Sequence, residues 1–460
     1  MVGVSVDTTE SHKRFAAGCG LSFSLLADES DEFSRRPDIL TSDTRYPELG
    51  DSARRVTFIV KGDGNRDGRS RGCGPAAPVV TWRMFSKPHA PSSVYSQQHQ
   101  SVERYMTKLS QRVLLNPGPV NISNSVRAAL GEAPDMCHRE GEFVDLLAEV
   151  KSALLEIAGL AQEEFDVVVL ASSGTGAMEA GLHTFVNKAL VLDQGVYGAR
   201  MILMLERLGR QVSRTTGESL PQDLERAAAG DLPAEWFCFV HHETTLGEMN
   251  PWSLVENVRA VLPGPKILVD AISSFGATDV EWGQADVILG VANKCLHAVA
   301  GTSFVIFRKA LLSDELPEKT SVYLDLEQYL DGAVPFTLPP QVLIAFRQAL
   351  REAHDVRGRE GRYRHLNDLI WREARALGLE PVIGQEKSGY LLASFYLPEG
   401  VAYADLYEEM HDRGFVIYAG QGALKDRIFR IANMGDLLDE ALVKEFFAGV
   451  GEVARARRAS

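Results

Sequence analysis

The chain has 460 residues, 45% of them hydrophobic and 24% charged, with a formal net charge of −14. That length allows two or three domains with sizeable cores, and the acidic balance argues against a nucleic-acid or anionic-membrane partner, which needs concentrated Lys and Arg. No apolar run approaches the ~20 residues of a membrane span, and the start, MVGVSVDTTESHKRF, lacks a basic stretch followed by an apolar one, so no signal peptide is expected. The cysteines Cys19, Cys73, Cys137, Cys238 and Cys295 are scattered with no CxxC pair, which fits reduced thiols in a cytoplasmic protein.

Residues 1–66 read as folded protein, with a strand at Val2–Val6, a helix around His12–Ala17, then SFSLLADE and RRVTFIVKGDG. Residues 67–110 change to DGRSRGCGPAAP and KPHAPSSVYSQQHQ, rich in Gly, Pro, Ser and Gln without apolar periodicity, and are expected to form a disordered linker. Within the first segment, Gly3–Ser30 and Ala53–Gly64 resemble the middle of a peroxiredoxin of the bacterioferritin-comigratory type. That family's peroxidatic cysteine sits in a PxxxTxxC motif that would precede this stretch. Cys19 is not in such a motif, and Gly18 and Gly20 beside it suggest a helix end carrying an inert thiol. The segment is therefore expected to be a truncated peroxiredoxin-like piece without peroxidase activity.

From Arg112 onward strand-like and helix-like stretches alternate, which predicts an α/β fold with a parallel sheet wrapped by helices. Val167–Ala171 reads as a buried strand, followed by Ser172-Ser173-Gly174-Thr175-Gly176 and a helix from Ala177. A strand, a small-residue turn and a helix N-terminus make an anion site, so Ser173, Gly174 and Thr175 are phosphate candidates. Alone, the same text also reads as a plain tight turn. After the strand Lys188–Leu192, Tyr197 could stack on a flat ring, with Gly195 and Gly198 permitting close approach, or could be an aromatic core residue. The strand Phe237–Val240 delivers His241, His242, Glu243, Thr244 and Thr245. No metal is expected there, because neighbouring strand residues face opposite sides, and a Thr244 or Thr245 hydroxyl contact to a cofactor is the better expectation.

Two further strands end in the decisive pair. KILV runs into Asp270, and VILGVAN into Lys294 amid small residues. A carboxylate at the C-terminal end of an α/β strand sits where such sheets bind ligands, although an Asp there can also cap the next helix. A lysine after a buried strand is unusual, since desolvating an ammonium is costly, and the same desolvation makes its amine a better nucleophile. An Asp to pair with a pyridine nitrogen and a Lys to form a Schiff base are what pyridoxal 5′-phosphate requires of a protein.

Taken together, LLNPGPVNIS (Leu114–Ser123), HREGEFVDLL (His138–Leu147), SSGTGAMEA (Ser172–Ala180), VYGARM (Val196–Met201), HHETTLGEMNP (His241–Pro251), VDAISSFG (Val269–Gly276), ANKCLHAVAG (Ala292–Gly301), VPFTLPPQV (Val334–Val342) and FRIANMGDL (Phe429–Leu437) resemble the class V aminotransferases of fold type I. Within that class the phrasing is most similar to the transaminases that act on 2-aminoethylphosphonate and pyruvate. The resemblance runs from Val113 to about Leu442. It implies a homodimer with its sites at the subunit interface and a ping-pong exchange between an amine donor and a 2-oxo acid. It also implies that Lys294 is the Schiff-base lysine, that Asp270 pairs with the pyridine nitrogen, and that Thr245 and Ser273 belong to the cofactor site. Thr337 would reach the partner's cofactor phosphate, and Arg430 would bind the acidic group of each substrate, its planar fork taking two oxygens at once. Ser123 could add a hydroxyl to the phosphonate. The chain departs from the family's phrasing at Leu246, His297 and Ala300, which leaves cofactor chemistry intact and opens the substrate to question.

Residues 111–355 are thus expected to form a large cofactor domain with an N-terminal arm, and residues 356–460 a small α+β domain. The latter carries helix-period text at EGRYRHLNDLIWREARALGL, strands at Tyr390–Tyr396, Val416–Tyr418 and IFRIA, and a last helix from DEALVKEFF. Competing expectations are an alanine–glyoxylate or serine–pyruvate aminotransferase, another pyridoxal-phosphate enzyme acting on a related aminophosphonate, a related lyase or a desulfurase, for which Cys295 beside the lysine is poorly placed, or a non-enzymatic protein on the same fold.

Overall fold

The structure is a computed structural model, and it describes residues 3–5, 25–27, 112–262, 264–332 and 334–459. The chain divides into two compact units, Met1–Arg104 and Tyr105–Ser460. In the first, the described strands Gly3–Ser5 and Leu25–Ala27 pair in parallel. The expected helix at His12–Ala17, Cys19, Cys73, the segment Ala53–Gly64 and the linker at 67–110 lie outside the described residues.

The second unit is built on a sheet whose strands are β1 (Phe165–Leu170), β2 (Lys188–Leu192), β3 (Gln211–Thr215), β4 (Trp236–Val240), β5 (Lys266–Asp270), β6 (Val287–Val291) and β7 (Ser303–Arg308). Their order across the sheet is β1-β7-β6-β5-β4-β2-β3. Neighbours pair in parallel except that β7 runs antiparallel to both β1 and β6. The parallel sheet expected from the alternation therefore holds one reversed strand. Apolar periodicity could not have revealed it: SFVIFR is buried almost throughout, like its parallel neighbours, so nothing in the text marks its direction.

Both faces are covered, as an all-buried sheet demands. On one side pack α1 (Asn124–Gly131), α2 (Gly141–Ala158) and residues of the later helix Pro340–Ala353, around Phe143, Val150, Phe237, Phe239, Phe304 and Phe346. On the other lie α3 (Gly174–Phe185) and α4 (Val196–Arg207), around Met178, Leu182, Met201, Leu205 and Leu289. The α3 helix begins at Gly174, three residues before the expected start at Ala177, so the Gly-Thr-Gly of SSGTG is its first turn. Gly174 permits this because a Cβ there would stand 2.7 Å from Ile272 Cγ2.

After α5 (Pro340–Ala353), α6 (Val356–Ala376) leads into an antiparallel sheet of β8 (Leu392–Tyr396), β9 (Tyr418–Ala419) and β10 (Ile428–Ala432), in the order β8-β10-β9. Its core of Leu369, Trp371, Phe395, Phe429 and Phe446 is separate from those flanking the large sheet, and α7 (Tyr403–Asp412) and α8 (Glu440–Ala459) complete it. The expected strand Val416–Tyr418 is divided: Phe415–Val416 pairs with Val113–Leu114, and Tyr418–Ala419 with β10. Among the described helices none is long and apolar enough to cross a membrane.

Candidate active site

Every candidate borne on the large sheet emerges at the C-terminal edge of its parallel strands, the edge at which open α/β sheets receive ligands. The turn after β1 carries Ser173, Gly174 and Thr175 into α3. Ser173 occupies the N-cap position but makes no side-chain cap bond, so the first backbone N–H groups of α3 keep their donors for an anion. Arg200, on the first turns of α4, donates from Nη1 to Thr175 Oγ1 at 3.2 Å.

Asp270 ends β5 and is buried. Its Oδ1 accepts from Ile272 N–H at 2.9 Å, closing a turn rather than capping a helix. Burial pushes its carboxyl up to about 6, against the opposing pull of the Ile272 N–H and the Lys294 ammonium. A carboxylate held this dry would hold a cationic nitrogen strongly, since pairing relieves the desolvation that burial imposes.

Lys294 lies on the connection from β6 to β7, with its Nζ 5.6 Å from the centre of the Tyr197 ring. The Arg200 guanidinium carbon is 4.9 Å from the same ring centre. The Pro-Gly-Pro turn closes on the lysine from outside the sheet: Gly118 has φ +109°, and a Cβ there would be 2.8 Å from Lys294 Cγ. Only glycine meets both conditions.

Tyr197 is set by Glu243. The buried Glu243 carboxylate accepts from Tyr197 N–H at 3.0 Å, Thr245 N–H at 3.0 Å and Thr245 Oγ1 at 2.6 Å. The Thr245 hydroxyl also accepts from Val196 N–H at 3.1 Å. Its hydroxyl is thus committed to the scaffold, whereas Thr244 Oγ1 is buried without a partner among the described residues. Ser273 donates to the His242 carbonyl at 2.7 Å, and its Oγ faces His242 Nδ1 at 3.1 Å. His241 points to the opposite side, against Ser274, Trp252 and Trp282. Burial holds His241 down to about 4 and His242 to about 3, so both are neutral.

Arg430, on β10, is the largest fully buried side chain. Its Nε donates to Ala419 O at 2.9 Å and its Nη1 to Thr244 O at 2.7 Å. Among the described residues no carboxylate pairs with it and no acceptor is recorded for Nη2. Strand alternation anticipated a polar face here; that face turns inward, toward Tyr418 and Thr244, not to open solvent.

Lys294, Asp270, Tyr197, Thr175 and Arg430 are therefore linked through one cluster. Two candidates stand apart from it by their recorded contacts. Ser123 is the N-cap of α1, accepting from Val126 N–H at 3.1 Å, and Thr337 is exposed on the loop before α5. Glu243 and Arg200 were missed as site residues. The spacing of three from Tyr197 on one helical face marks Arg200 in the sequence; Glu243, following two histidines at a strand end, carries no such mark. Cys295 donates to Ser273 O at 3.2 Å, and burial pushes its thiol up to about 12, so it offers no thiolate for desulfurase chemistry.

The donor set fits pyridoxal phosphate. It supplies an uncapped helix start for the phosphate, a dry carboxylate for the ring nitrogen, a flat side chain above the lysine, and the lysine itself.

Comparisons with known proteins agree with that cofactor. The 2-aminoethylphosphonate–pyruvate transaminase of Rhizobium meliloti is 34% identical over 369 residues, 76% of this chain and 95% of the relative. The enzyme of that name from Syntrophobacter fumaroxidans is 34% identical over 350 residues, 71% of this chain and 92% of its own length. The structure of a subgroup IV aspartate aminotransferase from Thermus thermophilus superposes with a TM-score of 0.67 at 26% identity, covering 75% of this chain and 99% of that one. Residues 1–65 match the AhpC/TSA family.

Proposed function

Since the chain belongs to the 2-aminoethylphosphonate–pyruvate transaminases, fold-type I enzymes that depend on pyridoxal phosphate, we propose that it moves the amino group of 2-aminoethylphosphonate to pyruvate, giving phosphonoacetaldehyde and L-alanine. The observation that carries this assignment is the buried Arg430, whose Nη2 meets no acceptor among the described residues, in the same cluster as Lys294 and Asp270.

Bound there, pyridoxal phosphate supplies an electron sink for the bond electrons released at the substrate's Cα. Asp270 keeps the ring nitrogen protonated. Lys294 would hold the cofactor, and its amine, once free, would serve as the base that takes the proton from the amine-bearing carbon and the acid that returns it. Tyr197, fixed by Glu243, covers the ring, while Ser173, Gly174 and Thr175 take the phosphate with Arg200 beside them. Arg430 takes the phosphonate of the donor in one half-reaction and the carboxylate of pyruvate in the other, and this alternation gives ping-pong kinetics. Thr244, whose buried hydroxyl has no partner among the described residues, is a better candidate for a ligand contact than Thr245. Thr337, exposed, is available to the cofactor phosphate of a second copy, which supports a homodimer as the working form, and the scattered cysteines without a CxxC pair support a cytoplasmic setting.

Purified holoenzyme titrated with 2-aminoethylphosphonate, without keto acid, tests the assignment. The cofactor's visible absorbance should convert to that of its amine form, and Lys294→Ala should abolish the conversion. If L-alanine or L-serine converts the cofactor and the phosphonate does not, the donor assignment is wrong.

A further inference from the structure

His297 lies three residues past Lys294 on the same connection. It adopts φ +54° without being glycine, a conformation that costs energy unless its surroundings enforce it. Its backbone N–H donates to Lys294 O at 2.9 Å. Its Nε2 accepts from Gly435 N–H at 3.0 Å and is also in contact with the Tyr363 hydroxyl. A backbone N–H can only donate, so Nε2 carries a lone pair and the ring is neutral.

Tyr363, on α6, reaches further. Its carbonyl accepts from Asn433 Nδ2 at 2.7 Å, and Asn433 Nδ2 also donates to Tyr390 O at 2.9 Å. Asn433 lies three residues after Arg430 on the same strand exit. Arg362, beside Tyr363, donates to Gly435 O at 3.0 Å and Leu438 O at 2.7 Å, and Arg359 donates to Cys295 O. One buried network thus joins the backbone of Lys294 to the backbone that leaves Arg430.

We propose that His297 is a positioning residue that fixes the distance between the Lys294 amine and the Arg430 guanidinium by clamping both connections to Tyr363. The proposal deepens the transaminase assignment and rests on it for the identity of the substrates. The groups facing the imidazole are Arg359, Arg362 and Tyr363 from α6 and the Gly435 amide. Burial and the two arginines hold the histidine well below its ordinary value, in agreement with the neutral ring that the Gly435 bond requires. Protonation would set an N–H against the Gly435 N–H and open the clamp.

The test compares wild type, His297→Ala, His297→Gln and Tyr363→Phe as holoenzymes. Half-reaction kinetics with 2-aminoethylphosphonate and with pyruvate should show kcat/KM reduced about tenfold or more in His297→Ala for both, since misplacing reacting groups costs factors of that order. Cofactor affinity should change less than about threefold, because the phosphate site is untouched. His297→Gln, which keeps an acceptor and cannot be protonated, should recover most of the loss and show a weaker acid limb than wild type. Tyr363→Phe should fall between them. A substrate-free readout separates this idea from the donor assignment: the pH at which the cofactor's visible spectrum titrates should move in His297→Ala and return in His297→Gln. An unchanged kcat/KM and spectrum in His297→Ala would overturn the proposal, as would equal losses in the Ala and Gln variants. If 2-aminoethylphosphonate is inert in wild type while the spectral shift appears, the donor assignment fails and the clamp stands.

Discussion

Arg430→Lys isolates what the guanidinium contributes beyond charge. The arginine commits Nε and Nη1 to Ala419 O and Thr244 O, leaving Nη2 for the substrate's acidic group. A lysine at this buried position can reach only part of that set with its compact ammonium, and it loses the planar fork. Losing one charge-assisted hydrogen bond to a substrate oxygen is worth about 1.5–3 kcal/mol, which converts to roughly 10- to 150-fold in kcat/KM. Because both substrates meet the same side chain in turn, the loss should fall in both half-reactions, measured separately by stopped-flow absorbance with the amine and with the keto acid. Cofactor affinity, governed by the turn after β1, should be nearly unchanged. A loss confined to one half-reaction, or a loss explained wholly by weaker cofactor binding, would refute the idea that Arg430 serves both acidic groups.

Acid stability offers a second check, because His183, His241, His242 and His297 are all held below the ordinary histidine value, chiefly by burial. Each takes up its proton more readily unfolded, so the native state is favoured fully above about pH 6.5 and loses that advantage as pH falls toward the folded values, near 4 for His241 and 3 for His242. The slope per histidine is about 1.4 kcal/mol per pH unit at its steepest. Asp270 opposes it in the unliganded protein, since a carboxyl raised to about 6 favours the fold at low pH and loses that contribution as pH rises through that value. Urea midpoints from pH 8 to pH 5 should therefore fall on acidification, and a flat profile would show the burial to be overstated. Gly118→Ala should cost about 1–3 kcal/mol in backbone strain alone and displace Lys294 Cγ, lowering turnover at least about tenfold. A variant with wild-type melting and turnover would mean that the Pro-Gly-Pro turn relaxes freely.

Asp270 and Lys294 were legible in the text because each follows an unbroken apolar strand, and a charged residue at such a place needs a reason. Arg430 was placed by motif and alternation together. The hydroxyl-bearing candidates were less legible. Ser123, Thr245 and Ser273 all bond to nearby scaffold atoms: a helix amide, the Glu243 carboxylate and the His242 carbonyl respectively. Short hydroxyl side chains compete for local backbone and side-chain partners, and the winner depends on distances that residue order does not encode. Glu243 was misjudged for the mirror reason: its partners, Tyr197 N–H and Val196 by way of Thr245, arrive from a helix far away in sequence.

The reversal of β7 has a consequence for how the lysine is held. A parallel neighbour would have required the chain leaving β6 to depart over a face of the sheet, through a helix, before returning. Here it turns straight back, with Ala292 N–H bonded to Thr302 O at 3.0 Å and Ala298 N–H to Ala292 O at 3.0 Å. Lys294 therefore rides on a short bracket anchored by both of its feet in the sheet. Leu296 and Ala298 seat that bracket in the core beside Phe346, while Gly118 and His297 meet it at the lysine, so the amine's position is set by the feet and by these contacts together.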